Sequence, residues 1–334
     1  MEKRNRCLVI AEAGVNHNGD LQTALKLCDA AKAVGADVVK FQTWKTEKLI
    51  TETVKMADYQ KENTGEELSQ YDMLKKLELS YDDFRQIKAY CDTIGIIFAS
   101  TADEEESLDF LISLGIPFIK VGSGDIGNIP FLRYIGKKQM PIILSTGMST
   151  LSDVATSLSA LREGGAREIS LLHCTTNYPC PFDEVNLKAM LTLENEFHLP
   201  VGYSDHTVGC EVAVSAVALG AKIIEKHFTL NKTMDGPDHI ASTEPDEFSQ
   251  MINQIRNIEA AMGNGIKEMT DSEKKIKKVV TKRIVAIKPI LEGELLTDDN
   301  VGVKRSDEGE LAMKWDDIIG TKARRNFLTG QGIV

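Results

Sequence analysis

Short hydrophobic runs recur along most of the chain, and each is followed by polar or glycine residues and then by a stretch with helical period. The runs occupy residues 7–12, 37–42, 95–101, 118–123, 140–145, 168–174, 201–206 and 221–227. Near-continuous Val, Ile, Leu and Phe runs are typical of parallel strands that are buried on both faces. We therefore predict eight buried parallel strands.

The stretches between these runs have helical spacing and helical end signals. After the fifth run, Val154, Leu158 and Leu161 fall on one helical face, and Thr150 with Asp153 forms the pattern of a capping box. Strand and helix thus alternate eight times, the number that closes a parallel sheet into a (β/α)8 TIM barrel. A doubly wound open sheet is the alternative, but no GxGxxG motif follows the first strand.

The spacing of the elements also predicts the domain organisation. Residues 1–265 are expected to form the catalytic barrel, residues 266–281 a charged linker, and residues 282–334 a small β-rich domain with many glycines. Within the barrel, about fifty residues separate the second and third strands, which exceeds the needs of a crossover with its helix. Residues 44–82 are therefore expected to form an elaborated loop over the barrel mouth.

Composition and charge exclude several classes of protein. The 334 residues are 42% hydrophobic and carry a net charge of −11, which argues against nucleic acid or an anionic membrane surface as the main partner. No apolar stretch approaches the length of a membrane span, and the run after the basic start at residues 3–6 is too short for a secretory signal. Six cysteines without CxxC spacing fit a reducing compartment, so we expect a cytoplasmic protein.

Polar side chains follow every predicted strand at the end where a barrel of this type carries its active site. They are Glu12, Lys40, Gln42, Ser100, Thr101, Lys120, Ser123, Ser145, His173, Thr175, Ser204, His206, Glu225 and His227. Ser204 and His206 share a parity along their strand, as do Glu225 and His227, so each pair can point inward together. Scattered surface charge would not select every strand end, which indicates one functional site.

Two kinds of side chain in this set suggest ligands. His206 and His227 end neighbouring strands, so their imidazoles can form half of a divalent-metal site that water and substrate complete; hydrogen-bonded core histidines are the alternative. Lys40 and Lys120 lie at buried strand positions, where an ammonium group needs an anionic partner. The VGSGD segment at residues 121–125 can offer backbone N–H groups to a phosphate. A small phosphorylated carboxylate is the expected ligand.

Several motifs, in order over nearly the whole chain, match one enzyme family. They are IAEAGVNHNG (10–19), VVKFQT (38–43), KVGSGD (120–125), ILSTGM (143–148), LLHCTTNYPCP (171–181), GYSDHT (202–207), EKHFTL (225–230), MDGPDH (234–239) and VKR (303–305). In these motifs the chain resembles the sialic acid synthases. The resemblance implies a TIM barrel followed by an antifreeze-like (SAF) domain, in a domain-swapped homodimer. It also implies condensation of phosphoenolpyruvate with an N-acylated mannosamine to a nine-carbon 2-keto acid and phosphate.

The resemblance assigns roles to individual residues. His206 and His227 would hold a divalent ion, with Mn²⁺ the first choice and Mg²⁺ or Co²⁺ the alternatives, and Glu12 would be the acid/base. The phosphoenolpyruvate ligands would be Lys40, Thr101, Lys120, Ser123, Ser145 and Ser204. The sugar contacts would be Gln42, Asp125, Tyr178 and Asp238, with Arg305 contributed by the partner subunit.

Two departures from the family pattern bear on the sugar. Asp125 stands where a Glu is common, and Thr176 where an Asn is found. Gly236, Pro237 and Asp238 match N-acetylneuraminate and legionaminate synthases, whereas pseudaminate synthases usually lack this GPD. Between the first two products the sequence decides little, and we favour N-acetylneuraminate, made from N-acetylmannosamine, over legionaminate, made from 2,4-diacetamido-2,4,6-trideoxymannose.

Two further alternatives remain open. One is another phosphoenolpyruvate-dependent sugar-acid synthase, of the pseudaminate type or acting on a phosphorylated sugar, although a second phosphate would need basic groups that the sequence does not show. The other is a non-catalytic carbohydrate-binding barrel, which the polar groups at all eight strand ends argue against.

Overall fold

The structure, a computed structural model, describes residues 6–54 and 69–334. The chain divides into two units, the first ending at Gly263 and the second spanning Asn264–Val334. Residues 3–5 of the basic start and residues 55–68 of the predicted barrel-mouth loop lie outside the described residues.

Eight parallel strands close into a barrel in the first unit, which confirms the predicted fold. They are β1 (Leu8–Gly14), β2 (Val38–Thr43), β3 (Ile97–Ala102), β4 (Ile119–Val121), β5 (Ile142–Ser145), β6 (Ile169–His173), β7 (Val201–Asp205) and β8 (Ile223–His227). Consecutive strands pair, and β8 returns to β1 with Ile223 opposite Leu8. Among the predicted site residues, Ser123 and His206 lie just beyond the strands in which they are expected: Ser123 begins a short 3₁₀ turn, and His206 follows β7.

Helices follow the strands around the barrel. They are α1 (Leu21–Ala33), α2 (Thr46–Leu49), α3 (Gln70–Leu77), α4 (Tyr81–Ile94), α5 (Glu105–Ser113), α6 (Ile129–Lys137), α7 (Leu151–Gly164), α8 (Ala189–Phe197), α9 (Glu211–Ala218) and α10 (Pro245–Ala261). The capping box of Thr150 and Asp153 at the start of α7 is present as predicted. Over residues 6–54 and 69–334, no helix combines the length and the hydropathy that crossing a bilayer requires.

Side-chain alternation along the strands separates the apolar core from the polar site. Residues of one parity fill the barrel interior with a hydrophobic layer, made of Ile10, Val38, Ala99, Phe118, Ile143, Leu172 and Ile223. Two positions further along the same strands lie Glu12, Lys40, Thr101, Lys120, Ser145, Cys174 and Glu225, and all of these are buried. Successive side chains of a strand alternate between its two faces. The polar groups, which lie two positions after the residues of the hydrophobic layer, therefore point into the barrel as well.

Gly202 is required by the close packing of β7 inside the barrel. A Cβ atom at this position would lie 2.3 Å from the carbonyl oxygen of Ile223 and 2.7 Å from Cδ2 of Leu172. Real Cβ atoms do not approach other atoms so closely, so only glycine fits without moving backbone. The absence of a side chain at this point lets β7 carry Ser204 and then His206 to the barrel mouth.

The second unit is a small β-rich domain, as the sequence predicts. Strands β9 (Lys282–Ala286) and β10 (Val301–Arg305) pair antiparallel, with Ile284 opposite Val303. Its hydrophobic core consists of Ile284, Ala286, Ile290, Leu296, Val301, Ala323, Phe327 and Ile333. A short helix, here α12 (Trp315–Ile318), packs beside this core. The residues expected to form a linker contain helix α11 (Asp271–Val280), which buries none of its side chains.

Candidate active site

A cavity of about 190 Å³ lies at the carboxyl ends of the barrel strands. Its lining includes the predicted residues Glu12, Lys40, Gln42, Thr101, Lys120, Ser123, Ser145, Tyr178, Ser204, His206 and His227. The structure therefore brings together most of the side chains that the sequence singles out, although they come from strands far apart in the chain.

Two lysines and two glutamates form a buried network of ion pairs in this cavity. Nζ of Lys40 lies 2.6 Å from Oε2 of Glu12 and 3.7 Å from Oε2 of Glu225. Nζ of Lys120 lies 3.6 Å from Oε1 of Glu225. The sequence indicated that the two ammonium groups need an anion from a ligand. The structure instead gives each of them a carboxylate of the protein, because Glu225 lies between them and Glu12 faces Lys40 from β1.

Hydroxyl groups orient the two ammonium groups. Nζ of Lys40 donates to Oγ1 of Thr101 at 3.0 Å, and Nζ of Lys120 donates to Oγ of Ser145 at 2.7 Å. Burial lowers the pKa of Lys40, but the neighbouring carboxylates outweigh it, so this pKa lies above its ordinary value. Burial dominates at Lys120, and its pKa is lowered.

The pKa values of the two glutamates are shifted in opposite directions. Burial raises the pKa of Glu12, and Lys40 offsets only part of that shift. Nε2 of Gln42 donates to Oε1 of Glu12 at 2.9 Å. Burial acts on Glu225 as well, but Lys120 and Lys40 outweigh it and hold the pKa of Glu225 below its ordinary value. Glu12 is therefore the carboxyl of this pair that takes up a proton more readily, which suits an acid/base.

His206 and His227 lie beside each other, with ring centroids 5.6 Å apart. Nδ1 of His206 lies 2.6 Å from the carbonyl oxygen of Thr175. Because a carbonyl oxygen can only accept, Nδ1 carries the proton and Nε2 keeps its lone pair. Burial lowers the pKa of both rings, that of His227 to about 3. Both imidazoles are thus neutral near pH 7, the form that ligates metal ions.

The donor set of the two histidines fits half of a divalent-metal site. Nε2 of His206 is available, and Nδ1 of His227 is buried with no hydrogen-bond partner among the described residues. Within residues 6–54 and 69–334, no group of three or more His, Cys, Asp or Glu side chains could hold a metal ion. An ion held here would therefore take its remaining ligands from water or substrate.

Two predicted sugar contacts border the histidines. The ring of Tyr178 lies with its centroid 4.2 Å from that of His206 and 5.4 Å, edge-on, from that of His227. Oδ2 of Asp238 lies 3.8 Å from Nδ1 of His227. Burial, with a smaller contribution from the charge of Glu12, raises the pKa of Asp238 to about 7.

Two other predicted residues are placed differently. Asp125 lies in the turn after β4, where its Oδ1 accepts a hydrogen bond from Nδ2 of Asn128 at 2.9 Å, and it is not among the residues that line the cavity. Arg305 is the last residue of β10 in the second unit, and its side chain is exposed.

The cavity also contains residues whose contacts or position in it the sequence does not predict. Asp103 lines the cavity, and burial together with the charge of Asp125 raises its pKa to about 7. Its parity matches that of Thr101 on the preceding strand, a signal that could have identified it. Oγ1 of Thr176 is buried and has no hydrogen-bond partner within the described part of the chain. Glu225 was placed at its strand end, but its position between two ammonium groups was not expected.

Comparison with known proteins finds relatives over nearly the whole chain. The model of the NeuB family matches residues 27–267, and that of the SAF domain matches residues 281–334. A Campylobacter jejuni N,N'-diacetyllegionaminic acid synthase is 47% identical over 96% of this chain and 97% of its own length. Its Legionella pneumophila counterpart is 44% identical over 97% of this chain and 92% of its own. The crystal structure of an N-acetylneuraminic acid synthetase from Leptospira borgpetersenii matches with a TM-score of 0.73 and 33% identity, over 82% of this chain and 90% of the other.

Proposed function

Because the chain belongs to the NeuB family, we propose that it is a synthase that condenses phosphoenolpyruvate with an N-acylated mannosamine. The products are a nine-carbon 2-keto acid and phosphate. The observation that carries the proposal is the convergence of two ammonium groups, two carboxyl groups and two neutral imidazoles in one buried cavity. This set can bind a substrate with two anionic groups, transfer a proton and hold a divalent ion.

The phosphoenolpyruvate site is proposed around Lys40 and Lys120. Their ammonium groups point to the hydroxyls of Thr101 and Ser145, and Ser204 and Ser123 line the same cavity. In the free protein the charges of the two lysines are balanced by two carboxylates. A phosphate and a carboxylate entering this space therefore compete with the protein's own carboxylates for the ammonium groups.

The reaction balances with one water molecule. C3 of phosphoenolpyruvate bonds to the aldehyde carbon of the open-chain sugar, whose oxygen takes up a proton. Water adds to C2 and loses one proton. The bond between C2 and the phosphate oxygen then breaks, and the hydroxyl group at C2 becomes the 2-keto group as its proton passes to the released phosphate. Glu12 lies opposite His227 in the register of β1 and β8, and we assign to it the proton transfer at this water.

A divalent ion is proposed at His206 and His227, with Mn²⁺ as the first choice and Mg²⁺ or Co²⁺ as alternatives. When bound, it supplies a Lewis acid that polarises the sugar aldehyde and orients the attacking water. The hydrogen bond to the Thr175 carbonyl fixes the tautomer of His206 that leaves Nε2 free to ligate. Burial keeps both rings unprotonated.

For the sugar we propose 2,4-diacetamido-2,4,6-trideoxymannose, so that the product is legionaminate. The sequence left this open and favoured N-acetylneuraminate. Two legionaminic acid synthases at 44% and 47% identity support the other choice, against 33% for the neuraminic acid synthetase of known structure. Gln42, Tyr178 and Asp238 are the proposed sugar contacts in the barrel. Asp125, Arg305 of a partner subunit, the domain-swapped homodimer and the cytoplasmic location remain predictions.

Phosphate release tests the proposal directly. The protein would be incubated with phosphoenolpyruvate, Mn²⁺ and, in separate reactions, N-acetylmannosamine, its 6-phosphate, the 2,4-diacetamido sugar and the corresponding pseudaminate precursor. We expect the highest kcat/KM with the 2,4-diacetamido sugar and a product mass that equals sugar plus pyruvate. A higher kcat/KM with N-acetylmannosamine would show that the product is N-acetylneuraminate instead. No release with any sugar would refute the synthase and leave the carbohydrate-binding barrel.

A further inference from the structure

A buried ion pair lies directly behind the two proposed metal ligands. Asp205 and Lys226 are opposite each other in the register of β7 and β8, and Nζ of Lys226 lies 2.7 Å from Oδ2 of Asp205. The two residues are 1% and 2% exposed. Neither lines the cavity, because their parity is opposite to that of the inward-facing Glu225 and His227.

Both members of the pair also form hydrogen bonds with Thr207, the residue that follows His206. Oδ1 of Asp205 accepts hydrogen bonds from the backbone N–H of Thr207 at 3.0 Å and from its hydroxyl at 2.8 Å. Nζ of Lys226 donates to the carbonyl oxygen of Thr207 at 2.7 Å. His206 lies between two residues tied to the pair, and His227 directly follows Lys226 in the chain. The same four contacts therefore fix the backbone beside both imidazoles.

We infer that Asp205, Lys226 and Thr207 form a positioning clamp that sets the spacing of His206 and His227 and thereby the affinity for the divalent ion. The inference rests on the proposed function, since it takes the two histidines as metal ligands. A site with only two protein ligands depends strongly on how rigidly they are held, because water and substrate impose little geometry. Buried hydrogen-bonded networks whose partners are satisfied give that rigidity.

Three variants separate positioning from general stabilisation. Thr207→Val keeps both charges and nearly the same volume but removes the hydroxyl bond to Asp205. The double variant Asp205→Asn/Lys226→Met removes both charges together, so no buried charge is left without a partner. Arg256→Met is the matched control, because it breaks the Arg256–Asp37 ion pair of 3.0 Å, which lies outside the cavity.

The measurement is Mn²⁺ binding to the metal-free protein, followed by the electron paramagnetic resonance signal of free Mn²⁺, together with thermal unfolding. For the double variant we expect a dissociation constant at least about tenfold above that of the wild type. Thr207→Val should show a smaller rise. Arg256→Met should unfold at a lower temperature and bind Mn²⁺ as the wild type does.

Wild-type Mn²⁺ affinity in the folded double variant would overturn the clamp. Should the double variant fail to fold, Thr207→Val decides, and unchanged affinity there overturns it. Two other results would contradict the proposed function itself. If the wild type bound no Mn²⁺, or if His206→Ala bound it as tightly as the wild type, the metal site would be refuted and the clamp with it.

Discussion

Oε2 of Glu12 lies 2.6 Å from Nζ of Lys40, and both side chains are buried inside the barrel. The sequence alone suggests that Lys40→Met would leave stability unchanged or raise it, because a lone buried ammonium is costly. The ion pair reverses that expectation. Removal of Lys40 now leaves a buried carboxyl group without its cation.

Lys40→Met should therefore destabilise the barrel, by about 3 kcal/mol, because breaking one side of a buried pair leaves an uncompensated group. Glu12→Gln/Lys40→Met should recover most of this loss, since both charges are gone. Urea unfolding of the wild type, the two single variants and the double variant gives the coupling energy. If the two effects simply add, Glu12 and Lys40 do not stabilise each other.

Lys120→Met should weaken the binding of phosphoenolpyruvate and have little effect on the binding of the sugar. Its ammonium group is one of the two proposed ligands of the anion and is held toward the cavity by Ser145. We expect KM for phosphoenolpyruvate to rise at least about tenfold, the loss of one charge-assisted hydrogen bond of roughly 1.5–3 kcal/mol. KM for the sugar serves as the internal control. Unchanged KM and kcat would place the anion elsewhere.

His206→Ala and His227→Ala should fold but show almost no activity. Both rings are neutral near pH 7, so replacing either leaves no buried charge unpaired, while removing one of two protein ligands costs the Lewis acid. Circular dichroism checks the fold, and phosphate release checks the activity. A chelator should silence the wild type and added Mn²⁺ should restore it; full turnover in chelator would contradict the metal assignment.

Asp103→Asn should stabilise the protein at pH 8 and have almost no effect at pH 4. The pKa of Asp103 is raised from 3.8 to about 7, by burial and by Asp125, so between these values the folded chain binds more protons than the unfolded one. Stability then falls as the pH rises from about 4 to about 7. The variant lacks this loss, and we expect a gain of roughly 4 kcal/mol at pH 8, the free energy that corresponds to the rise of this pKa from 3.8 to about 7.

Thermal unfolding between pH 4 and pH 8 measures the Asp103 effect. Glu105→Gln is a matched control, because Glu105 is an exposed carboxyl two residues away at the start of α5. A difference between Asp103→Asn and the wild type that stays constant with pH would show that the carboxyl does not titrate in this range.

The sequence predicts the barrel and the inward side chains because both follow from the two-residue period of strands. One pattern predicts both the hydrophobic layer inside the barrel and the polar site, because Glu12 shares the parity of Ile10 and Lys40 that of Val38. Parity does not give distances between strands that are remote in sequence. For that reason the pairing of Lys40 with Glu12, and the position of Glu225 between two lysines, could not be predicted.

Residues beyond the strand ends were also harder to predict. Asp125 follows β4 in a turn, where no period fixes the direction of a side chain, whereas Asp103 lies one residue beyond β3 and still shares the parity of Thr101. Asp238 was identified only through its motif, and the structure places it beside His227. The same holds for Arg305, which no periodic pattern connects with the barrel.

Arg305 should act on the active site of a partner subunit. Residues 266–281 separate the barrel from the small domain, and the family resemblance implies that this domain covers the other barrel of a two-fold dimer. His206→Ala removes a proposed metal ligand from the barrel, and Arg305→Ala removes the proposed sugar contact from the small domain. Each variant alone should be nearly inactive. In a co-expressed mixture, a dimer with one chain of each kind contains one site with an intact barrel and an intact Arg305.

If chains pair at random, half of the dimers are mixed and each restores one of its two sites, so about a quarter of all sites should regain activity. If Arg305 acted on its own barrel, every site in every pairing would lack one of the two groups, and mixing would restore nothing. Phosphate release from the purified mixed dimer, isolated with two different affinity tags, separates the two cases. A tagged mixed dimer no more active than the single variants would therefore refute the swapped arrangement.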